Sequence, residues 1–220
     1  MANEAPQAVV FDLDGLMFNT EELYIEVGTE VLRRRGFEFT LELMDAMMGF
    51  RPRQAIAKMI EWYDLSETVE QIEAESEEIF GPILQTRLQT MPGLLPLLAA
   101  IEEAGLPKAV ATSSPRQFAT TVLSSCELEP RFEFLLTADD VTEGKPHPEI
   151  YLTAAARLNV SPERMLVLED SQTGCKAAVA AGAVAVAVPG HVSKHHQFDG
   201  ATLVINSLED PLLYQLLGIA

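Results

Sequence analysis

Long apolar runs, basic charge and cysteine are what this sequence has little of. None of its 220 residues lies in a run approaching the roughly eighteen consecutive apolar residues of a membrane span, so no span is expected. Lys and Arg number 15 against 33 Asp and Glu, a formal net charge of −18. That imbalance argues against nucleic acid and anionic membrane as main partners, because long-range repulsion opposes both. It leaves a small anion open: screening over about 8–10 Å lets a local ion and one or two placed cations outweigh a distant surface. The only cysteines, Cys126 and Cys175, are far apart and lack metal-ligand spacing. They read as inert thiols of a reducing compartment rather than a disulfide. The start, Met1-Ala-Asn-Glu-Ala-Pro-Gln, has neither a basic n-region nor an apolar h-region, so no secretory signal is expected and the location is expected to be cytoplasmic.

What is present is ordinary for a globular chain: 48% hydrophobic and 22% charged residues, enough for one core with a small inserted domain. Ala8-Val-Val-Phe-Asp12 is a short apolar run with a polar end, as a buried parallel strand reads. Similar runs recur at Lys108–Thr112, Phe134–Thr137, Met165–Glu169, Val184–Val188 and, more weakly, Leu203–Ile205. Between them lie helix-length segments punctuated by proline near the start and glycine past the end: Leu94–Ala104, Pro115–Ser124, Pro148–Leu158 and Thr173–Ala181. This alternation predicts an α/β fold, a parallel sheet with helices on both faces.

One region breaks the pattern. Residues 19–89 hold no convincing strand, only helical patterns around Glu21–Arg35, Leu41–Met48, Arg53–Tyr63 and Ser66–Leu88, the first opened by a capping-box pattern, Asn19-x-x-Glu22. The acidic stretch Glu67–Glu78 reads as a solvated helix face, with Val69, Ile72, Ile79 and Phe80 turned inward. The expected organisation is thus a core of residues 1–18 and 90–220 with an all-helical insertion at 19–89.

In an open parallel sheet, ligands bind beyond the carboxyl ends of the strands. Those ends carry Asp12-Leu-Asp14-Gly15, Thr112-Ser113-Ser114, and Glu169-Asp170-Ser171, with Gly144-Lys145-Pro146 beyond the third strand. Carboxylates are hard oxygen ligands for Mg²⁺, which also binds substrate phosphate. Aspartate is a competent phosphoryl nucleophile, so Asp12 could attack phosphorus while Asp14 protonates the leaving oxygen. Thr112 could hold non-bridging oxygens, and Lys145 could neutralise charge beyond the metal's reach. Each feature has a bland counterpart. The Asp-x-Asp-Gly tetrapeptide can be a turn, and Ser114-Pro115 reads as a helix N-cap followed by an N1 proline. Lys145 alone can be a surface lysine, and Glu169-Asp170 can cap the next helix. The four together, in this order at strand ends, are a specific signal.

These residues resemble the haloacid dehalogenase-like hydrolases, in the subgroup with a helical cap inserted after the first motif. Val10-Phe-Asp-Leu-Asp-Gly-Leu, Ala111-Thr-Ser-Ser, Gly144-Lys-Pro-His-Pro-Glu and Leu168-Glu-Asp-Ser-Gln-Thr-Gly match the four motifs, and the likeness runs from about Ala8 to Asp210. The resemblance implies a Rossmann-like core, Asp12 as nucleophile, Asp14 as general acid/base, and Thr112 and Lys145 against the phosphoryl group. It implies Mg²⁺ held by Asp12, the Asp14 carbonyl and Asp170, with Glu169 at or near the ion. Leu16 stands where many members have threonine, and Asn19 where aspartate is usual.

Within the family, Asp14 disfavours a dehalogenase, and the single cap lysine, Lys58, lacks the surroundings of a Schiff-base lysine. A sugar phosphomutase of the beta-phosphoglucomutase type is the first alternative, and a phosphate-ligand binding protein that keeps the fold without turnover is the second. The mutase's hinge histidine is absent here, the hinge position being Tyr24, and no lysine lies between Lys58 and Lys108 to serve as its cap lysine, which favours water as acceptor. The expected enzyme is therefore a Mg²⁺-dependent phosphatase of a small phosphorylated metabolite, acting as a monomer. Gly49, Arg51, Arg53 and Tyr24 in the insertion, Ser113 and Ser114 in the second motif, and Arg116 just past it, are the candidate substrate-binding residues. Met47 and Met48 are read as cap core.

Overall fold

In the computed structural model, which describes residues 5–47, 50 and 52–219, the first apolar run forms β1 (Ala8–Phe11). It is followed by α1 (Thr20–Arg33), α2 (Leu41–Met47), α3 (Pro52–Tyr63), α4 (Val69–Arg87) and α5 (Leu94–Glu103). The alternating part continues with β2 (Lys108–Ala111), α6 (Arg116–Ser125), β3 (Leu135–Leu136), α7 (Glu149–Leu158), β4 (Met165–Glu169), α8 (Gln172–Ala180), β5 (Val184–Ala187), β6 (Leu203–Val204) and α9 (Pro211–Leu217). Every predicted strand is present; five end one residue earlier than expected, β3 also starts one residue later, and β4 keeps its expected bounds.

Residues Met1–Asn19 with Gln89–Ala220 form one compact unit, and Thr20–Leu88 form a second. The first is built on a six-stranded sheet of order β3-β2-β1-β4-β5-β6, every pair parallel. β1 and β4 sit centrally and are buried along their whole length, which is why both read as unbroken apolar runs. On one face, Val10, Ala109, Ala111, Val167 and Ala185 pack against Ile150, Tyr151, Ala154 and Ala155 of α7 and Cys175, Ala177 and Ala178 of α8. Alanine on both sides lets these helices lie close to the sheet, so side chains at their starts reach the strand ends. Among the described residues, no helix is long and apolar enough to cross a membrane.

The chain leaves and rejoins this unit through two strands of backbone that bond each other. Asn19 N–H donates to the Gln89 carbonyl (3.1 Å), Gln89 N–H donates to Asn19 Oδ1 (2.8 Å), and Met91 N–H donates to the Met17 carbonyl (2.8 Å). Asn19 therefore joins the two crossings, a role its helix-cap reading did not contain.

The second unit is all-helical, with Val27, Val31, Leu32, Leu43, Met59, Ile72 and Ile79 at its centre. Thr68 caps α4 in a capping box with Gln71. The acidic stretch is not simply a solvated face. Arg35 donates to Glu67 (2.8 Å) and Glu75 (2.6 Å), Arg34 to Glu75 (3.0 Å), and Arg53 to Glu70 and, at 3.0 Å, to Glu73. Arginines from the turn after α1 and from α3 neutralise what composition alone reads as water-facing charge.

Candidate active site

The turn after β1 decides where the first two carboxylates go. Asp12 N–H donates to the Leu168 carbonyl of β4 (3.0 Å), so Asp12 extends the sheet to its last rung and is 6% exposed. Gly15 then takes φ +74°, a left-handed conformation glycine adopts without strain, and its N–H closes onto the Phe18 carbonyl (2.9 Å). This turn brings Asp14 back over the strand ends. Its Oδ2 accepts from Ser114 Oγ (2.6 Å) and Thr112 Oγ1 (3.2 Å).

Ser114 corrects the sequence reading. The N-cap of α6 is Pro115, with no side-chain cap bond, and the Arg116 N–H is satisfied by Asp139 Oδ2 (2.9 Å). The hydroxyl expected to cap the helix is spent on Asp14. The Ser114 N–H donates to Thr112 Oγ1 (3.0 Å), which joins Thr112, Ser114 and Asp14 into one small network.

Lys145 reaches the same place from the loop before α7. Its side chain is 5% exposed, and Nζ donates to Asp12 Oδ1 (2.5 Å), Glu169 Oε1 (2.6 Å) and the Ala111 carbonyl (3.0 Å). It is thus no surface lysine. Burial works against its charge, but Asp12, Glu169 and Tyr151 outweigh that and hold it firmly as ammonium, with a pKa well above the usual lysine range. Asp12 is raised as well: burial, then Glu169 and Asp14, lift it well above the usual carboxylate range, with Lys145 pulling it back.

Glu169 is fully buried, and its two oxygens take four donors. Oε1 accepts from Lys145 Nζ and the Tyr151 hydroxyl, both at 2.6 Å, while Oε2 accepts from Ser171 Oγ (3.0 Å) and Ser171 N–H (3.2 Å). Capping of α8 falls to Ser171, whose Oγ accepts from the Gly174 N–H (3.0 Å), rather than to Glu169 or Asp170. Asp170 is 2% exposed beside it. One oxygen each of Asp12, Glu169 and Asp170 lie within 4.8 Å of one another. Hard, buried oxygens with surplus negative charge fit a divalent cation such as Mg²⁺. The four donors already on Glu169 leave Asp12 and Asp170 as the better-placed ligands.

The structure does not bring every candidate together. Arg116 is tied to Asp140 Oδ2 (2.5 Å) and the Leu135 carbonyl (3.3 Å). The Arg53 guanidinium is engaged by Glu70 and Glu73. Tyr24 stacks on Phe80, with ring centroids 5.1 Å apart, and Met47 packs on the core of its helical unit. Lys58 pairs with Glu61 (3.2 Å). Ser113 is exposed beside Thr112. Gly49, Arg51 and Met48 lie outside the described residues. Tyr151 and Gly174 went unread as site residues; the signal available was a tyrosine on the apolar face of α7, whose hydroxyl needs a partner once buried.

Residues 9–188 match the model of the haloacid dehalogenase-like hydrolase family. A phosphorylated carbohydrates phosphatase of Thermotoga maritima is 34% identical over 176 residues, 80% of this chain and 82% of the relative. A probable pseudouridine-5'-phosphatase of Drosophila melanogaster is 33% identical over 219 residues, 96% of this chain and 94% of the relative. The crystal structure of CbbY from Rhodobacter sphaeroides in complex with phosphate superposes with a TM-score of 0.79 at 27% identity, covering 92% of this chain and 95% of that one. The chain belongs to the haloacid dehalogenase-like hydrolases. It is an enzyme of the phosphatase kind within that family.

Proposed function

We propose that this enzyme hydrolyses a small organic phosphate monoester with Mg²⁺ bound, passing through a phosphoryl group on Asp12. The observation that carries the reading is the buried Asp12–Lys145 contact at 2.5 Å, with Asp14, Thr112 and Ser114 gathered beside it. In the first step a carboxylate oxygen of Asp12 forms a bond to phosphorus as the ester P–O bond breaks. Asp14 gives its proton to the departing alkoxide. In the second, Asp14 takes a proton from water as the water oxygen bonds phosphorus, the Asp12–phosphorus bond breaks, and inorganic phosphate leaves.

Lys145 supplies a fixed positive charge for the phosphoryl oxygens and favours the ionised form of Asp12 against its burial, while Thr112 and the backbone beside it donate to the same oxygens. Asp12 and Asp170, with the Asp14 carbonyl, would hold Mg²⁺, which when bound supplies further charge neutralisation and lowers the Asp12 pKa. Residues 19–89 serve as the cap that selects the substrate. The cap arginine Arg53, engaged by Glu70 and Glu73 of its own unit in an exposed pairing, is kept as a candidate substrate contact.

The test is phosphate release from a panel of sugar phosphates, nucleotides, pseudouridine 5'-phosphate and phosphoglycolate, with Mg²⁺, with chelator and with Asp12→Asn. Metal-dependent release abolished in Asp12→Asn supports the reading. Isomerised sugar phosphate without free phosphate would replace it with a mutase.

A further inference from the structure

We propose that Tyr151 is a positioning residue of this site, acting through Glu169 to aim Lys145 at Asp12; this deepens, and rests on, the phosphatase reading above. Tyr151 lies on the sheet-facing side of α7 among Ile150, Ala154 and Ala155, and is fully buried. An apolar ring would fill that place. The hydroxyl adds a polar group that costs free energy in such surroundings unless it finds a partner. It finds Glu169 Oε1 at 2.6 Å, the length of an O–H donor on a charged carboxylate.

The same side chain touches the other half of the ion pair. Lys145 Nζ lies 4.9 Å from the Tyr151 ring centroid, over its face. One residue therefore holds the acid by its hydroxyl and the ammonium by its ring. Glu169, with four donors on two oxygens, has no remaining orientation to adopt without losing one. Lys145, on its flexible four-carbon stem, has all three of its donors committed, one of them to Asp12. The hydroxyl is the one member of this cage that neither belongs to a strand-end motif nor is needed for packing.

The test keeps the ring. Tyr151→Phe should lower kcat about tenfold while KM stays within about twofold and the melting temperature hardly moves. In ¹H–¹⁵N spectra of the lysine ammonium groups, the Lys145 signal, identified by its loss in Lys145→Met, should exchange several-fold faster with solvent in Tyr151→Phe. Combined with Glu169→Gln, which acts on the same link, the double variant should be no slower than Glu169→Gln alone. Unchanged kcat and unchanged ammonium exchange in Tyr151→Phe, or losses that simply add in the double variant, would reduce Tyr151 to a packing residue. A wild-type chain releasing no phosphate from any ester would overturn the phosphatase reading instead, and the ammonium signal would still decide on Tyr151.

Discussion

Gly174 is the third residue of α8, and its backbone is one that alanine adopts freely, so on helix propensity alone Gly174→Ala should stabilise the protein by about 1 kcal/mol. The site predicts the opposite. A Cβ there would lie 1.7 Å from Glu169 Oε1, 2.0 Å from its Cδ and 2.3 Å from its Oε2, on top of the carboxylate. Restoring an ordinary contact needs the carboxylate to move on the order of 1.5 Å. Such a clash is cheap when the neighbour is a free side-chain end. Glu169 is fully buried and fixed by Lys145, Tyr151 and Ser171. Overpacking of this kind costs about 1–3 kcal/mol, which exceeds the propensity gain in most of its range. For a chain of this size the net loss, up to about 2 kcal/mol, lowers Tm by up to about 8 °C. Lys145 must follow Glu169 away from Asp12, and a displacement near 1 Å in such a site costs about a hundredfold in kcat. Scanning calorimetry and steady-state phosphate release on the same preparation read both quantities. A Gly174→Ala protein that melts higher than wild type at unchanged kcat would refute the claim that Glu169 is immovable and that its position matters.

Two further perturbations probe the scaffold. Glu102, held down to about 2 by Arg131 and then Lys108, has a folded pKa below its unfolded value, so its stabilisation is present above about pH 4.5 and disappears as pH falls towards 2. Solvent screening of a side chain 39% exposed keeps that contribution to about 1 kcal/mol or less. Glu102→Gln should therefore lower Tm by a few degrees at pH 7 and by nothing measurable near pH 2; a difference independent of pH would rule out the ion pair as its source. In the helical unit, Arg35→Ala removes donors from Glu67, Glu75 and the Val31 carbonyl at a side chain only 16% exposed, and should cost about 1–3 kcal/mol by chemical denaturation. Arg35→Lys should recover only part of that, because it lacks the fork that spans two carboxylates.

The strands and helices were legible because a strand buried on both faces must be apolar throughout, and helices need their proline and glycine punctuation. Asp12, Asp14, Thr112 and Asp170 were legible for a related reason, since each ends or closely follows an apolar run, whereas Lys145 lies in a polar loop and was legible only together with them. What could not be read was pairing over distance. Nothing local to Arg53 shows that Glu70 and Glu73 lie across from it, nor that Asp140 takes Arg116. Ser114 is a credible helix cap in sequence, and only the turn at Gly15 puts Asp14 where its hydroxyl is drawn away. Glu169 next to Asp170 does not by itself show what else holds its carboxylate. The cage around Glu169 depends on Tyr151, eighteen residues earlier, and on the missing Cβ of Gly174, five residues later.

The central claim is a phosphoryl group carried on Asp12. With an aryl phosphate labelled in its phosphate, whose leaving group departs without needing a proton, rapid acid quenching of Asp14→Asn, which lacks the base for the second step, reads it directly. Stoichiometric label is expected on the peptide containing Asp12, released by hydroxylamine and converted by borohydride to homoserine at position 12. Phosphate released with no label on the chain, or label on any other residue, would contradict it.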